Sequence, residues 1–180
     1  MKPIRIIGFF AIVFVAAFFY FRFSHATKSY PETSSKVTKA SSGFIKPEGN
    51  SSCPVCGMFV KDYESWWAAL RSPSGKLLYF DGARDMFRYW LDWEKFQKSK
   101  KRKDVSEIFV TEYYDLKIID AKSAYFVTGS DVLGPMGHEL IPFDSEEAAK
   151  EFKEEHSGKA IFSFSEVSLA LLVKLEKGQP

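Results

Sequence analysis

Apolar and polar positions recur along the chain in two similar rounds, each reading strand, turn, strand, helix, strand. In the first, Trp66-Trp67-Ala68-Ala69-Leu70 leads to a turn at Pro73-Ser74-Gly75, then to Lys76-Leu77-Leu78-Tyr79-Phe80-Asp81. An amphipathic stretch to about Lys98 and a strand at Ile108 to Tyr113 complete it. The second round gives Ala124 to Thr128, a turn near Gly134-Pro135-Met136-Gly137, and a run from His138 to Asp144. A helix to His156 and a strand at Ala160 to Phe164 follow. Short aromatic and β-branched runs bounded by turn residues predict strands, and apolar positions three and four apart predict helices.

The details of the two rounds agree with this reading. Met86, Trp90 and Trp93, widened by Phe87 and Leu91, form the apolar stripe of the first helix. Met86 is therefore expected in the core, where a flexible thioether fills gaps among aromatics. Phe-Asp closes the second strand of both rounds, which makes Asp81 and Asp144 the expected helix N-caps. Glu147 forms a capping-box variant with Asp144, and Gly158 falls at the expected C-cap. Glu166 to Leu175 predicts a further short helix. Two tandem ββαβ units give an α+β fold with antiparallel sheet. The expected boundaries are 53–115 and 120–165 for the units and 166–180 for the terminal helix, within one domain at 53–180.

Ahead of the domain the pattern changes twice. Lys2 and Arg5 precede an unbroken apolar run from Ile6 to Phe21, followed by Arg22, Phe23 and Ser24-His25-Ala26. At 16 residues the run lies between a signal-peptide core and a membrane-spanning helix. Ser24 and Ala26 offer a small-x-small cleavage site near Ala26, whereas Arg5 and Arg22 can snorkel at the ends of an uncleaved anchor. Six phenylalanines and the position of Arg22 lean toward the anchor. Either way residues 27–180 are expected outside the cytoplasm, attached to the membrane or soluble in the periplasm. Residues 27–52 are rich in Ser, Thr, Lys, Pro, Glu and Gly and predict a flexible linker.

The net charge of +2 offers no field for a nucleic-acid partner. The basic run from Lys98 to Lys103 follows a helical pattern, where cations complement the helix dipole; anionic lipid or an acidic partner is the other reading. No carboxylate pair, Ser/His/Asp grouping or phosphate-cradling loop argues for an enzyme.

The candidate chemistry is sulfur. Cys53-Pro54-Val55-Cys56-Gly57-Met58 holds both cysteines and one of the four methionines. Thiolates and thioethers select Cu(I), zinc or iron-sulfur centres, and the C-x-x-C spacing also permits a disulfide. The repeat then singles out Met136, which stands in a turn where Ser74 stands in the first round. Methionine brings no backbone advantage to a turn. It either caps the domain or is a surface ligand, and pairing it with Cys56 suits Cu(I). His138, two residues on, is a further candidate, with an exposed strand residue as the plainer reading; His156 fits a helix C-terminus.

Cys53-Pro54-Val55-Cys56-Gly57-Met58, Tyr79-Phe80-Asp81-Gly82 and Gly134-Pro135-Met136-Gly137 ahead of Pro142-Phe143 together resemble the NosL family of nitrous oxide reductase accessory proteins. The resemblance implies an extracytoplasmic copper chaperone of two ββαβ units that supplies Cu(I) to the copper-sulfide cluster of nitrous oxide reductase. It places Cys56 and Met136 on the family's copper-binding residues, with Met58 a third ligand and Cys53 accessory. Family members are commonly lipoproteins; this chain has no cysteine between Met1 and Ser52, and a signal anchor would serve the same purpose. The alternative is a membrane-tethered thiol-disulfide oxidoreductase using Cys53 and Cys56. A structural zinc site ranks third, since C-x-x-C supplies only two ligands and His138, Glu139 or another carboxylate would have to complete it.

Overall fold

The computed structural model describes residues 43–98 and 101–179. The expected export segment at 1–26 and the linker up to residue 42 lie outside the described residues. Among the described residues no helix is long and apolar enough to cross a membrane.

The first unit comprises β1 (Ala68–Arg71), β2 (Leu77–Phe80), α1 (Ala83–Leu91), the short α2 (Trp93–Phe96), β3 (Ile108–Thr111) and β4 (Ile118–Asp120). The second comprises β5 (Tyr125–Thr128), β6 (Ile141–Phe143), α3 (Glu146–Glu155) and β7 (Ala160–Ser163), and α4 (Leu169–Glu176) ends the fold. Both sheets are antiparallel, with orders β2-β1-β3-β4 and β6-β5-β7. In each, the first strand of its unit is central and the helix connects one edge to the other side, so the predicted α+β layout of repeated ββαβ units holds. β4 was not anticipated; it is three residues long and pairs Ile119 with Val110.

One core serves both units. Alternation along β1 sends Ala68 and Leu70 to the helix side and Ala69 to the opposite face. Along β5, Phe126 enters the shared core while Val127 joins Ile141, Phe143, Ala149 and Phe152 beneath α3. Phe87 of α1 meets Phe126 edge to face, with ring centroids 4.9 Å apart, so the helix of one unit packs on the strand of the other. Met86 is fully buried in the same core.

Several local expectations need correction. The first amphipathic stretch is divided at Asp92 (φ −102°, ψ 43°), which turns Trp93 and Phe96 onto Tyr89, the latter stacked at 4.8 Å. The helix therefore ends before the basic run, whose Arg102 folds back over Trp90 at 5.1 Å. Neither Phe-Asp aspartate is an N-cap. The caps are Gly82, with no side-chain bond, and Ser145, whose hydroxyl accepts from the Ala148 amide. Asp144 instead pairs with Lys117 at 2.7 Å. At the end of α3 the left-handed residue is Ser157 (φ 56°), and the Gly158 amide donates to the Lys153 carbonyl at 2.8 Å.

The expected linker also stops short of residue 52. Phe44 covers the outer face of the first sheet, against Trp67, Tyr79 and Phe109. Gly43 and Ile45 offer their carbonyls to Arg71 and the Tyr79 hydroxyl. One aromatic suffices because Ala69, Leu77 and Phe109 leave an apolar patch of matching size.

Because Ser145 caps α3, Ser145→Ala should lower stability by about 1 kcal/mol in urea unfolding. Phe87→Ala, which empties the junction of the two units, should cost about 3–5 kcal/mol in the same measurement.

Candidate metal centre

The six-residue sulfur motif folds into a tight knuckle. The Gly57 amide donates to the Cys53 carbonyl and the Cys53 amide to the Met58 carbonyl, each at 2.9 Å. Gly57 has φ 81°, a left-handed conformation that a side chain would strain. A bridge between Ser52 and Phe59 closes the loop. Cys53 thereby points inward, 2% exposed, and Cys56 lies half-buried beside it. Both thiols are free.

The knuckle faces the start of α1. The Cys53 thiol donates to Asp85 Oδ2 at 3.3 Å and the Cys56 thiol to Asp81 Oδ1 at 3.4 Å. One ligand atom from each of Cys53, Cys56, Asp81 and Asp85 lies within 4.8 Å of the other three. Asp81 is 1% exposed, and its Oδ2 is buried without a hydrogen-bond partner among the described residues. Burial and the neighbouring carboxylates push the Cys56 thiol up to about 11 and raise the deeper Cys53 thiol further. Backbone amides directed at the sulfurs, from Cys56 and Val55 toward Cys53 and from Met58 toward Cys56, oppose that rise. Asp85 is raised by burial first and by Asp81 second. These thiols are held protonated, the opposite of the low-pKa thiolate on which disulfide exchange depends.

Met136 reaches the surface on a second tight turn. Gly134 and Gly137 exchange backbone hydrogen bonds at 2.8 and 3.1 Å, and Met136 between them is 44% exposed. β6 begins only at Ile141, so Met136 and His138 lie in a loop and strand alternation does not set their sides, contrary to the expected strand from His138. What orients the loop is Glu139. Its buried carboxylate accepts the Arg84 amide at 2.5 Å and the Leu140 amide at 2.9 Å. It lies so close to Gly82 and Gly134 that a Cβ on either would collide or crowd against it. The Arg84 guanidinium donates to the His138 carbonyl at 2.8 Å. His138 itself is half-buried, with Nδ1 lacking a hydrogen-bond partner among the described residues. Glu139 thus supplies from the second unit the cap that Gly82 cannot, and fastens the methionine turn to the helix end that carries Asp81 and Asp85.

Of the residues expected from sequence, Cys53 and Cys56 meet directly, and Met58 shares their knuckle, half-buried. Met136 and His138 belong to the Glu139-anchored loop. Asp81 and Asp85 were missed. The available signal was the divergence of the repeats, since Asp85 stands where the second helix has Ala148. The family model for NosL matches residues 45–172. The chain belongs to the NosL family. It is 30% identical over 128 residues to the copper-binding lipoprotein NosL of Stutzerimonas stutzeri, with 67% of this chain and 63% of that protein covered. The chain therefore spans about 63% of the length of that curated relative. The NosL fold is also that of the crystal structure of the copper chaperone NosL from Shewanella denitrificans. That match has TM-score 0.61 at 26% identity, over 71% of this chain and 96% of the other. These relatives are named as a copper-binding lipoprotein and a copper chaperone, not as enzymes.

Burial holds the Glu139 carboxyl up at about 7, against backbone donors and Arg84 that favour its charged form. A carboxyl raised on folding binds its proton more tightly in the folded state, so stability is lost as pH rises from about 4.5 through about 7. Glu139→Gln keeps the acceptor and removes the charge. It should flatten the fall in unfolding free energy between pH 5 and pH 8, a change on the order of 3 kcal/mol.

Proposed function

We propose that this protein is an extracytoplasmic Cu(I) chaperone that delivers copper to a metalloenzyme, the copper-sulfide centre of nitrous oxide reductase being the intended site. In this reading Cys56, Met136 and Met58 hold the ion, with Cys53 and His138 beside them. The observation that carries it is the shared anchorage of the two sulfur-bearing turns. Asp81 and Asp85 grip the cysteine knuckle, Glu139 grips the methionine turn, and all three carboxylates meet at the start of α1. Family membership and the printed names of the relatives support copper as the cargo.

The mechanism is transfer rather than turnover. Soft sulfur ligands favour Cu(I), and thioethers bind without losing a proton or forming disulfides. Cys56, the more accessible cysteine, gives up its thiol proton on binding the ion. An acceptor then replaces the ligands one at a time, beginning at exposed Met136. Phe59 and Leu133, next to Met58 and Gly134 in the chain, are exposed apolar side chains suited to a transient docking contact. Attachment of the domain to the membrane, by the apolar run at Ile6 to Phe21, would keep it beside its partner. The raised thiol pKa values count against the oxidoreductase alternative.

Cys56→Ser and Met136→Ala should each weaken Cu(I) binding by roughly tenfold or more, measured on reduced full-length protein in detergent against a competing Cu(I) chelator. Unchanged affinity in both variants refutes the copper site. Delivery is checked by loading the protein with Cu(I) and following metal uptake by apo nitrous oxide reductase.

A further inference from the structure

We infer that the open edge of β2 is a docking site for an extended, acidic segment of a partner protein, which adds to the first sheet as a further strand. β2 pairs only with β1, so it is an edge of that sheet. The register tells which of its backbone groups are already used. The Ser72 amide donates to the Lys76 carbonyl, and alternation along an antiparallel pair makes Leu70 with Leu78 and Ala68 with Phe80 the next bonded pairs. The other side of β1 has the matching phase. There the Arg71 amide donates to the Glu107 carbonyl and the Thr111 amide to the Trp67 carbonyl, so odd positions of β1 serve β3 and even positions serve β2. The amides and carbonyls of Leu77 and Tyr79 therefore point away from the sheet. Among the described residues no backbone hydrogen bond reaches them.

These outward groups face a groove of about 730 Å3. Ile45, Lys46 and Glu48, from the segment that leads into the cysteine knuckle, line one side of it, and Lys76, Leu77 and Tyr79 line the other. The segment is held in place by the Tyr79 hydroxyl, which donates to the Ile45 carbonyl at 2.6 Å, and by Phe44 against the sheet. The Ile45 side chain is left 67% exposed, an apolar contact for one face of an added strand. Strand addition takes its affinity from such free main-chain groups and its selectivity from the side chains beside them.

Charge decides the occupant. The groove is lined by Lys46, Arg71 and Lys76 against Glu48 alone. Arg71 is held by Glu107, whereas the pair of Lys46 with Glu64 is exposed and contributes little. Lys76 has no ion pair among the described residues. A second copy pairing edge to edge would set these lysines against their own counterparts, and like charges across a strand pair are unfavourable. An acidic strand meets them with opposite charge. The groove also reaches Pro54 inside the knuckle, and β2 runs directly into Asp81, so a strand laid on this edge ends beside the sulfur residues. Holding a copper-exchanging partner there rests on the copper reading; strand addition itself does not.

The test is amide hydrogen exchange followed by NMR on reduced, metal-free, isotope-labelled full-length protein in detergent. The probe is a pool of capped octapeptides in which glutamate alternates with valine, isoleucine or tyrosine, and the control is the same pool with lysine for glutamate. At millimolar concentration the glutamate pool should slow exchange of the Leu77 and Tyr79 amides roughly fivefold or more. The Leu78 and Phe80 amides, already bonded to β1, should not respond, and the lysine pool should bind roughly fivefold more weakly. Lys76→Glu should weaken binding of the glutamate pool by about the same factor. Leu77→Pro, which removes an outward donor and no bond to β1, should abolish protection at Tyr79. Both variants should keep Cu(I) affinity within about threefold of the parent. Unchanged exchange at Leu77 and Tyr79, equal protection by both pools, or protection that grows with protein concentration in the absence of peptide, the mark of a second copy, would overturn the docking edge. Protection by the glutamate pool with Cu(I) binding indifferent to Cys56→Ser and Met136→Ala keeps the edge and removes the copper reading. The reverse pair of results removes the edge alone.

Discussion

The contact between the Glu139 carboxylate and the first turn of α1 is the constraint on which the rest of the site depends. A helix start leaves backbone amides without partners, and Gly82 has no side chain to meet them. Glu139 meets the Arg84 amide from a different unit, more than fifty residues downstream. The cap is therefore also a clamp. It fixes the methionine-bearing loop to the same helix end, whose first turn carries Asp85 and whose Gly82 cap follows Asp81. Gly82 and Gly134 are the clearance that this clamp needs, since a methyl group at either would press on the carboxylate.

Charge is concentrated where the two units meet. Glu139, Asp81 and Asp85 are all nearly fully buried, and Arg84 is buried with them. Such a cluster is costly in a low-dielectric interior unless cations or protons balance it. Thiol protons directed at the aspartates and the raised carboxyls of Asp85 and Glu139 contribute to that balance. The surrounding core, with Phe87 against Phe126 and Met86 wholly enclosed, gives the cluster little room to relax.

The strands, both helices of the repeat and the buried stripe of α1 were legible because each rests on a local signal. Trp67 to Leu70 and Phe126 to Val127 belong to short apolar runs bounded by turn residues, and Met86 and Phe87 fall on one helical face. The aspartates were illegible for the converse reason. Phe-Asp precedes a helix in both rounds, and only the divergence four residues on, Asp85 against Ala148, separates Asp81, which receives a thiol, from Asp144, which pairs with Lys117. Phe44 was read as part of a linker because one aromatic in a polar stretch carries no period, yet the patch it covers lies on three different strand positions distant in the chain. Cys56 and Met136 were singled out as candidates by softness and by a residue type unsuited to its turn, both of which are properties of single positions.

The exposure of Met136 has a cost beside the use proposed for it. A thioether that an acceptor can reach is also one that peroxide can reach, and oxidation converts it to a polar sulfoxide whose sulfur is no longer a soft ligand. Met86, sealed in the core, is protected from the same reagent. Oxidative damage to this domain would therefore begin at the loop and leave the fold, the knuckle and its carboxylates intact; under the proposed role, the domain would stay well folded while losing one of its soft ligands.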